Sequence, residues 1–390
     1  MSRVGPDAFA PLVLTGPPDG RAPLVLGATV TLYVCGITPY DAAHVGHAFT
    51  YVAFDTLVRV LRWHGHQVIY CQNVTDVDDD VLRRAQRDDE DYLQLGQRET
   101  AAFLRDMDAL NVDRPTVYPK ATGEVPEMIR LVGELLGRGH AYEVDGTVFF
   151  DVTTFGRFGS LSGLPPAEQR ALLAERGGDP DDERKRNPLD FVLWQLSKPG
   201  EPSWSSPWGP GRPGWHTECS AMARKYLGVT VDLHGGGSDL LYPHHESERA
   251  QSEAANGKEF VRRWLHTGMV AYQGEKMSKS LGNLVFARDL LVDHEPAAVR
   301  LALLAHHWRS AWEFRHAELD RAAGRLQAWR RAAARAAPGA ELPEPVETAL
   351  ADDLDTPSAL AAVDELAAAR GGDGVLAAAD VLGVRLDPAT

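Results

Sequence analysis

Three groups of residues have the types and spacing to do chemistry. His44-Val45-Gly46-His47 places two imidazoles three residues apart where a helix opens after a strand and turn. Unpaired N–H groups and the dipole at a helix start favour an anion, so both rings can donate to nucleotide phosphates. Gly46, with no side chain, would let a flat base approach the backbone. Alone, the pattern reads more plainly as a pair of surface or capping histidines. Lys276-Met277-Ser278-Lys279-Ser280, followed by Leu281-Gly282-Asn283, is a loop carrying two ammonium groups and two hydroxyls. It suits the charge that develops on a pyrophosphate leaving group; alone, it is also an ordinary solvated turn. The third group comprises Cys35, Cys219 in Gly214-Trp-His-Thr-Glu-Cys219, and His244-His245-Glu246-Ser247-Glu248. Thiolates with an imidazole, and a carboxylate available, form a tetrahedral zinc set. Their scattered positions leave buried free thiols open as the alternative. Cys71, mid-strand between apolar residues, reads as core.

The elements around these residues say where they would stand. Residues 29–35 (TVTLYVC) alternate as a strand ending at Gly36, and Thr38–Asp41 make a turn. From His44, apolar Val45, Ala48, Val52, Leu57 and Leu61 recur at helical spacing up to Gly65. QVIYCQNVTD is a second strand, which completes a βαβ unit and predicts a parallel α/β sheet. Ligands in such sheets bind at the carboxyl ends of strands, where His44–His47 and Asn73–Asp76 fall. Residues 80–140 read as helical, 141–152 as a strand pair, and 156–213 as an inserted lobe rich in Gly, Pro and charge. A strand is expected over Val229–Leu233, before the glycine run Gly235–Gly237. Helices follow from about 295, with a break at 338–345. Two domains are expected: a catalytic one over 1–290, with the inserted lobe at about 110–205, and a helical one over 291–390.

Composition narrows the partners. Lys and Arg total 40 against 55 Asp and Glu, a net charge of −15, which disfavours gripping a long nucleic acid. Arg321, Arg325, Arg330, Arg331 and Arg335 mark one basic helix, read as a solvated face rather than as a phosphate or tRNA contact. Three cysteines suit a reducing compartment, and no stretch nears the roughly 20 apolar residues of a membrane span. A cytoplasmic protein with no membrane partner is expected.

Together the first two motifs resemble the HIGH and KMSKS signatures of class I aminoacyl-tRNA synthetases. YVCGITPYDAAHVGHAFTYVAFD, QNVTDVDD, PSWSSPWGPGRPGWHTECSAMA, LHGGGSDLLYPHHE and GEKMSKSLGN are similar to the cysteinyl-tRNA synthetase catalytic domain, from about residue 25 to 330. Within that superfamily three segments resemble the cysteine ligases of the mycothiol pathway. These are Ile37-Thr38-Pro39 in CGITPYD, Glu175–Pro180 (ERGGDP), and the ending ALADDLDTPSALAAVDEL through VLGVRL. His234 in LHGGG and Glu248 in HHESE are closer to the synthetases.

The resemblance implies a class I synthetase-type, Rossmann-like parallel sheet with an inserted lobe and a C-terminal helical domain. It implies ATP-dependent formation of cysteinyl-adenylate, then transfer to the amine of glucosaminyl-inositol; a short cysteinyl-tRNA synthetase is the alternative. His44, His47, Lys276 and Lys279 would be catalytic. Cys35, Gly36, Ile37, Thr38, Thr50, Asn73, Val74, Thr75 and Trp215 would line the adenylate pocket, with Gly237, Ser238, Asp239 and Val270 at its nucleotide end. Trp215 and His216 read equally as a core aromatic and its hydrogen-bonded partner. One zinc ion per subunit would be held by Cys35, Cys219 and His244, with Glu248 left open, and Mg²⁺ would accompany ATP. Only about sixty residues follow the catalytic region, too few for anticodon-reading modules, so tRNA is not the expected acceptor. A monomer or homodimer is expected.

Overall fold

The computed structural model describes residues 11–277, 281–334, 336–337, 339–369 and 371–387. In chain order, β1 (Val13–Gly16) and β2 (Gly20–Pro23) form a hairpin, then β3 (Thr29–Ile37), α1 (Val45–Trp63) and β4 (Gln67–Val74) build the expected βαβ unit. Three helices follow: α2 (Asp79–Asp88), α3 (Tyr92–Ala109) and α4 (Ala121–Gly137). The inserted lobe carries β5 (Ala141–Val144), β6 (Thr147–Phe150), α5 (Pro166–Glu175), β7 (Phe191–Leu196) and β8 (Gly211–Pro213). Its four strands pair antiparallel in the order β5-β6-β7-β8, so the Gly/Pro-rich text holds more regular structure than long loops. The chain then returns through α6 (Trp215–Leu227), β9 (Val231–Gly237), α7 (Glu246–Asn256) and β10 (Val261–Thr267).

β10-β9-β3-β4 form one parallel sheet. The chain leaves β3 for β4 on one side, while β9 lies on the other. This reversal opens a crevice above the carboxyl ends of β3 and β9, where a doubly wound sheet binds its ligand. β3 runs past Gly36 to Ile37, because a bulge sets Cys35 and Gly36 together against Asn73: Val34 pairs with Gln72, and Ile37 with Val74. The extra residue re-aims Cys35 without ending the strand. Likewise the glycine run lies inside β9 rather than after it. A Cβ on Gly235 would fall 2.1 Å from Phe54 Cζ and 2.8 Å from the Leu265 carbonyl oxygen, so α1 and β10 both pack against bare backbone there.

Beyond the sheet, β11 (Val270–Tyr272) and β12 (Glu275–Lys276) form a hairpin, and α8 (Ala287–Asp293) and α9 (Pro296–Leu304) precede β13 (Trp312–Glu313). Gln273 and Gly274 both have positive φ, as a tight two-residue hairpin turn requires. The C-terminal helices are α10 (Ala317–Ala333), α11 (Glu344–Ala351), α12 (Thr356–Ala368) and α13 (Gly372–Val381). One apolar cluster joins Val52, Leu57 and Leu61 of α1 to Leu301, Leu326, Trp329, Leu360 and Val375. Fully buried Arg300 of α9 donates to the carbonyls of Leu110 and Leu382 and pairs with Asp55 of α1. The basic face of α10 is partly tied down: Arg325 pairs with Asp364 and Arg330 with Glu295, whereas Arg321 and Arg331 are exposed. Arg335 lies outside the described residues. No described helix is long and apolar enough to cross a membrane.

Candidate active site and metal centre

The start of α1 joins two readings of its histidines. His44 Nδ1 accepts the Gly46 N–H at 3.1 Å, and His47 Nδ1 accepts the His44 N–H at 3.4 Å, a reciprocal cap. A neutral imidazole that accepts at Nδ1 carries its proton at Nε2, so capping makes each ring a donor on its far side. The rings lie 4.0 Å apart. Gly46 has a nearer reason for being bare than room for a base: a Cβ would come within 2.8 Å of the His44 ring.

The second motif is stitched to the first. The Val45 N–H donates to the Val285 carbonyl at 2.8 Å, the Ala287 N–H donates to Ala43 at 2.9 Å, and His44 bridges Phe286. Lys276 stands exposed at the end of β12, and Asn283 Nδ2 donates to its carbonyl at 3.2 Å. Lys279, with Ser278 and Ser280, lies outside the described residues.

The carboxyl ends of the strands bring most of the expected pocket together. The Gly36 N–H donates to Asn73 Oδ1 at 2.8 Å, Thr38 and Thr75 share a hydroxyl contact at 2.8 Å, and the Thr75 N–H donates to Ile37 at 3.0 Å. Val74 closes β4, fully buried. Thr50 on α1 meets Thr267 at 2.8 Å; Thr267 also reaches the Gly236 carbonyl at 3.4 Å, beside Gly237. Ser238 and Asp239 start the turn after β9, and buried Val270 opens β11. Trp215, in the first turn of α6, stacks on His244 with ring centroids 4.1 Å apart.

Cys35, Cys219, His244 and Glu248 converge from β3, α6, the turn before α7 and α7 itself, all buried, with one ligand atom each within 4.8 Å of the others. The two sulfurs are 3.9 Å apart; two thiolates about 2.3 Å from one tetrahedral zinc would be about 3.8 Å apart. Glu248 Oε1 lies 3.4 Å from Cys35 Sγ and 3.0 Å from His244 Nε2, yet His244 Nε2 has no aligned hydrogen bond. A buried nitrogen beside a carboxylate oxygen, with two sulfurs within 4.8 Å, could hold a cation. His216 lies 2.8 Å from the far nitrogen of His244, and His234 reaches Glu248 Oε2 at 3.0 Å. His245 contacts Cys35 at 3.4 Å and His266 at 2.8 Å. Cys35, His234 and His245 form a second, overlapping triple.

Without a cation the cluster balances its own charges: burial would lower His244, but Glu248 and Cys219 beside it raise it to about 10, as an ion pair with Glu248. Burial pushes the Cys219 thiol up, but its hydrogen bond from Cys35 and the neighbouring His244 outweigh that and bring it to about 6. Burial and the adjacent Cys219 and Glu248 hold the Cys35 thiol well above its ordinary range. Burial would raise Glu248 too, yet His234 and His244 keep it well below the carboxylate range. Burial and neighbouring imidazoles hold His216 and His245 neutral. Sequence reasoning named His245 within its motif without a role, and gave no part to His266 or Thr267. For the last two a signal existed, since RRWLHT is a strand whose carboxyl end carries both.

A parallel sheet with this reversal and a histidine-capped helix at the crevice defines a nucleotide-handling α/β enzyme architecture. Solved structures with this fold include the Mycobacterium tuberculosis methionyl-tRNA synthetase in complex with methionyl-adenylate (TM-score 0.64, 18% identity, 91% of this chain and 89% of that one). Another is the agnB2 LeuRS of Agrobacterium radiobacter K84 in its ternary complex with tRNA and LeuAMS (TM-score 0.68, 13% identity, 96% and 84%). Residues 23–324 match the family described as the tRNA synthetases class I (C) catalytic domain, and the chain belongs to that family. Relatives named L-cysteine:1D-myo-inositol 2-amino-2-deoxy-alpha-D-glucopyranoside ligase are similar over most of its length. That of Thermomonospora curvata is 50% identical over 87% of this chain and 83% of its own. That of Saccharomonospora viridis is 49% identical over 92% and 89%.

Proposed function

We propose that the protein is a ligase that activates L-cysteine with ATP and joins it to the amine of glucosaminyl-inositol, a step of mycothiol biosynthesis. The observation that carries this reading is the buried Cys35–Cys219–His244–Glu248 set beside the crevice, in a chain half identical to ligases of that name. The cysteine carboxylate attacks the α-phosphorus of ATP, and pyrophosphate leaves. His44 and His47 donate from Nε2 to the phosphates, while Lys276 and Lys279 neutralise the leaving group. Thr50, Thr38, Thr75 and the bare backbone at Gly36 and Gly237 hold the adenylate, with Asn73 fixing the Gly36 turn. The free amine of the acceptor then attacks the acyl carbon, the C–O bond to phosphate breaks, and AMP leaves. Positioning supplies most of the rate, because the anhydride is already reactive.

Cys35, Cys219 and His244 are the zinc-holding residues in this reading, with Glu248 the fourth donor in reach. Bound there, zinc would supply a soft acceptor that takes a thiolate in preference to a serine hydroxyl. Mg²⁺ accompanies ATP. A net charge of −15 and the pairing of Arg325 and Arg330 on α10 favour a small acceptor over tRNA. In this reading the enzyme is a monomer or homodimer that works in the cytoplasm.

Mass spectrometry tests the reading: purified protein with cysteine, ATP and Mg²⁺ is offered glucosaminyl-inositol and tRNA in parallel. A cysteinyl amide on the amino sugar with uncharged tRNA is expected. Charged tRNA with untouched sugar overturns it in favour of a short cysteinyl-tRNA synthetase.

A further inference from the structure

Glu175–Pro180 is one of the segments that resemble the mycothiol-pathway ligases, and its two glycines also suit a tight turn. Glu175 ends α5, and Gly177 takes a positive φ that turns the chain. Gly178 must then be bare, since a Cβ would lie 2.5 Å from Leu173 Cδ1. Between them, half-buried Arg176 reaches back across the lobe. Its Nη1 donates to two main-chain carbonyls, those of Asp239 and Tyr242.

Those carbonyls belong to the turn that leads from Gly237 at the end of β9 to His244. One end of the turn carries Ser238 and Asp239, at the nucleotide end of the pocket; the other carries His244, then Glu248. The turn is two short helical stretches, Ser238–Leu240 and Leu241–His245, broken at Tyr242, whose backbone is extended (φ −138°, ψ 135°), so the regular ladder is interrupted there and an outside donor can serve the carbonyls at the break. A second tie lies just beyond. Glu246 Oε2 accepts the N–H groups of Leu161 and Ser162 at 3.1 and 2.9 Å, and Arg249 reaches Ser160 at 3.0 Å. The inserted lobe thus grips the turn on both flanks of His244.

We propose that Arg176 is a positioning residue, whose guanidinium bridges the Asp239 and Tyr242 carbonyls and thereby holds the nucleotide end and the metal end of this turn in one fixed relation. The role of that relation in catalysis rests on the function proposed above; the anchoring itself does not. Groups that bond a metal ligand directly typically change metal affinity by about 10–100-fold, and Arg176, which holds the backbone two residues before His244, is expected at the low end of that range. Arg176→Ala should therefore release zinc to a chromogenic chelator at least about tenfold faster. It should also raise the KM for ATP about tenfold, with a smaller change in kcat, and speed amide hydrogen exchange across 238–246. Millimolar guanidinium should restore chelator resistance to Arg176→Ala, and Arg176→Lys, which keeps a donor without the planar fork, should fall between.

Arg170→Ala, which removes an exposed ion pair with Asp181 on the same lobe, is the control and should leave all three readouts unchanged. Wild-type zinc release and wild-type exchange over 238–246 in Arg176→Ala would overturn the proposal. So would a loss of thermal stability alone, without rescue by guanidinium. If Arg176→Ala does not fold, Arg176→Lys carries the same measurements. Zinc release and hydrogen exchange are read without cysteine or acceptor, so a wrong substrate assignment would leave their outcome intact.

Discussion

Replacing Gly36 by alanine tests whether the bulge in β3 is what aims the site. An added Cβ would lie 1.5 Å from the Asn73 carbonyl oxygen and 2.6 Å from its carbon, where real Cβ atoms do not come within 3.0 Å, so the two strands must part by about 1.5 Å. That movement falls on the Gly36 N–H to Asn73 contact at 2.8 Å, and on Asn73 Nδ2, which lies 3.5 Å from Cys219 Sγ. It also shifts Cys35. A misplacement of about 1 Å costs on the order of 10²-fold in rate, so Gly36→Ala should lose about 10²- to 10³-fold in cysteine-dependent ATP–pyrophosphate exchange. This corresponds to about 3–4 kcal/mol of barrier. Overpacking should cost stability only about 1–3 kcal/mol, leaving a folded protein whose urea transition can be measured beside its exchange rate. Gly133→Ala is the control: it lies in α4, and a Cβ there meets nothing within 4 Å, so exchange should hold and stability should rise slightly. Exchange by Gly36→Ala above about a third of wild type would refute the claim that close approach of β3 and β4 sets the geometry.

Other outcomes follow from the same structure. His44→Ala should lose about 1 kcal/mol of helix capping but on the order of 10²-fold or more in pyrophosphate exchange; equal small losses in both would leave the ring a cap alone. Chelation should lower the melting temperature, and added zinc should restore it, with about 2.7 kcal/mol of stabilisation at a hundredfold excess over Kd, whereas Cys219→Ser should not respond. A melting curve indifferent to chelator in the wild type would rule out a metal cage. Burial alone would raise Asp55, but Arg300 and Arg59 hold its carboxyl below the ordinary value. Its stabilisation is therefore complete above the unfolded value near 4 and is lost as pH falls through the lower folded one. Asp55→Asn should cost about 3 kcal/mol from pH 5 to 8, and the gap should narrow below about pH 4 in denaturant melts.

What could be read from the sequence was local. The βαβ unit shows because the alternation of TVTLYVC and the helical spacing after His44 are set by neighbours in the chain. The fit of Cys35 to Cys219 and His244 is not local: it depends on β3 lying against β9, with Tyr33 opposite His234, across about 200 residues. Spacing could not carry that pairing; residue type suggested the set, and only the motif resemblance favoured it over buried free thiols. The glycine run was misplaced for a related reason. Glycine ordinarily interrupts a strand, but here the crowding that demands it comes from Phe54 and Leu265, remote in sequence. Arg176 escaped because an arginine that donates to backbone carbonyls leaves no charge partner to look for.

The apolar cluster that runs from α1 into α9, α10, α12 and α13 makes the last hundred residues something other than an appendage. The helix whose first turn bears His44 and His47 rests, along its far side, on side chains contributed after residue 296. The tail therefore works as the footing of the proposed phosphate grip. It cannot be trimmed or exchanged as a cassette without tilting that helix, and a lesion at Trp329 or Leu360 would surface as an enzyme that binds nucleotide poorly.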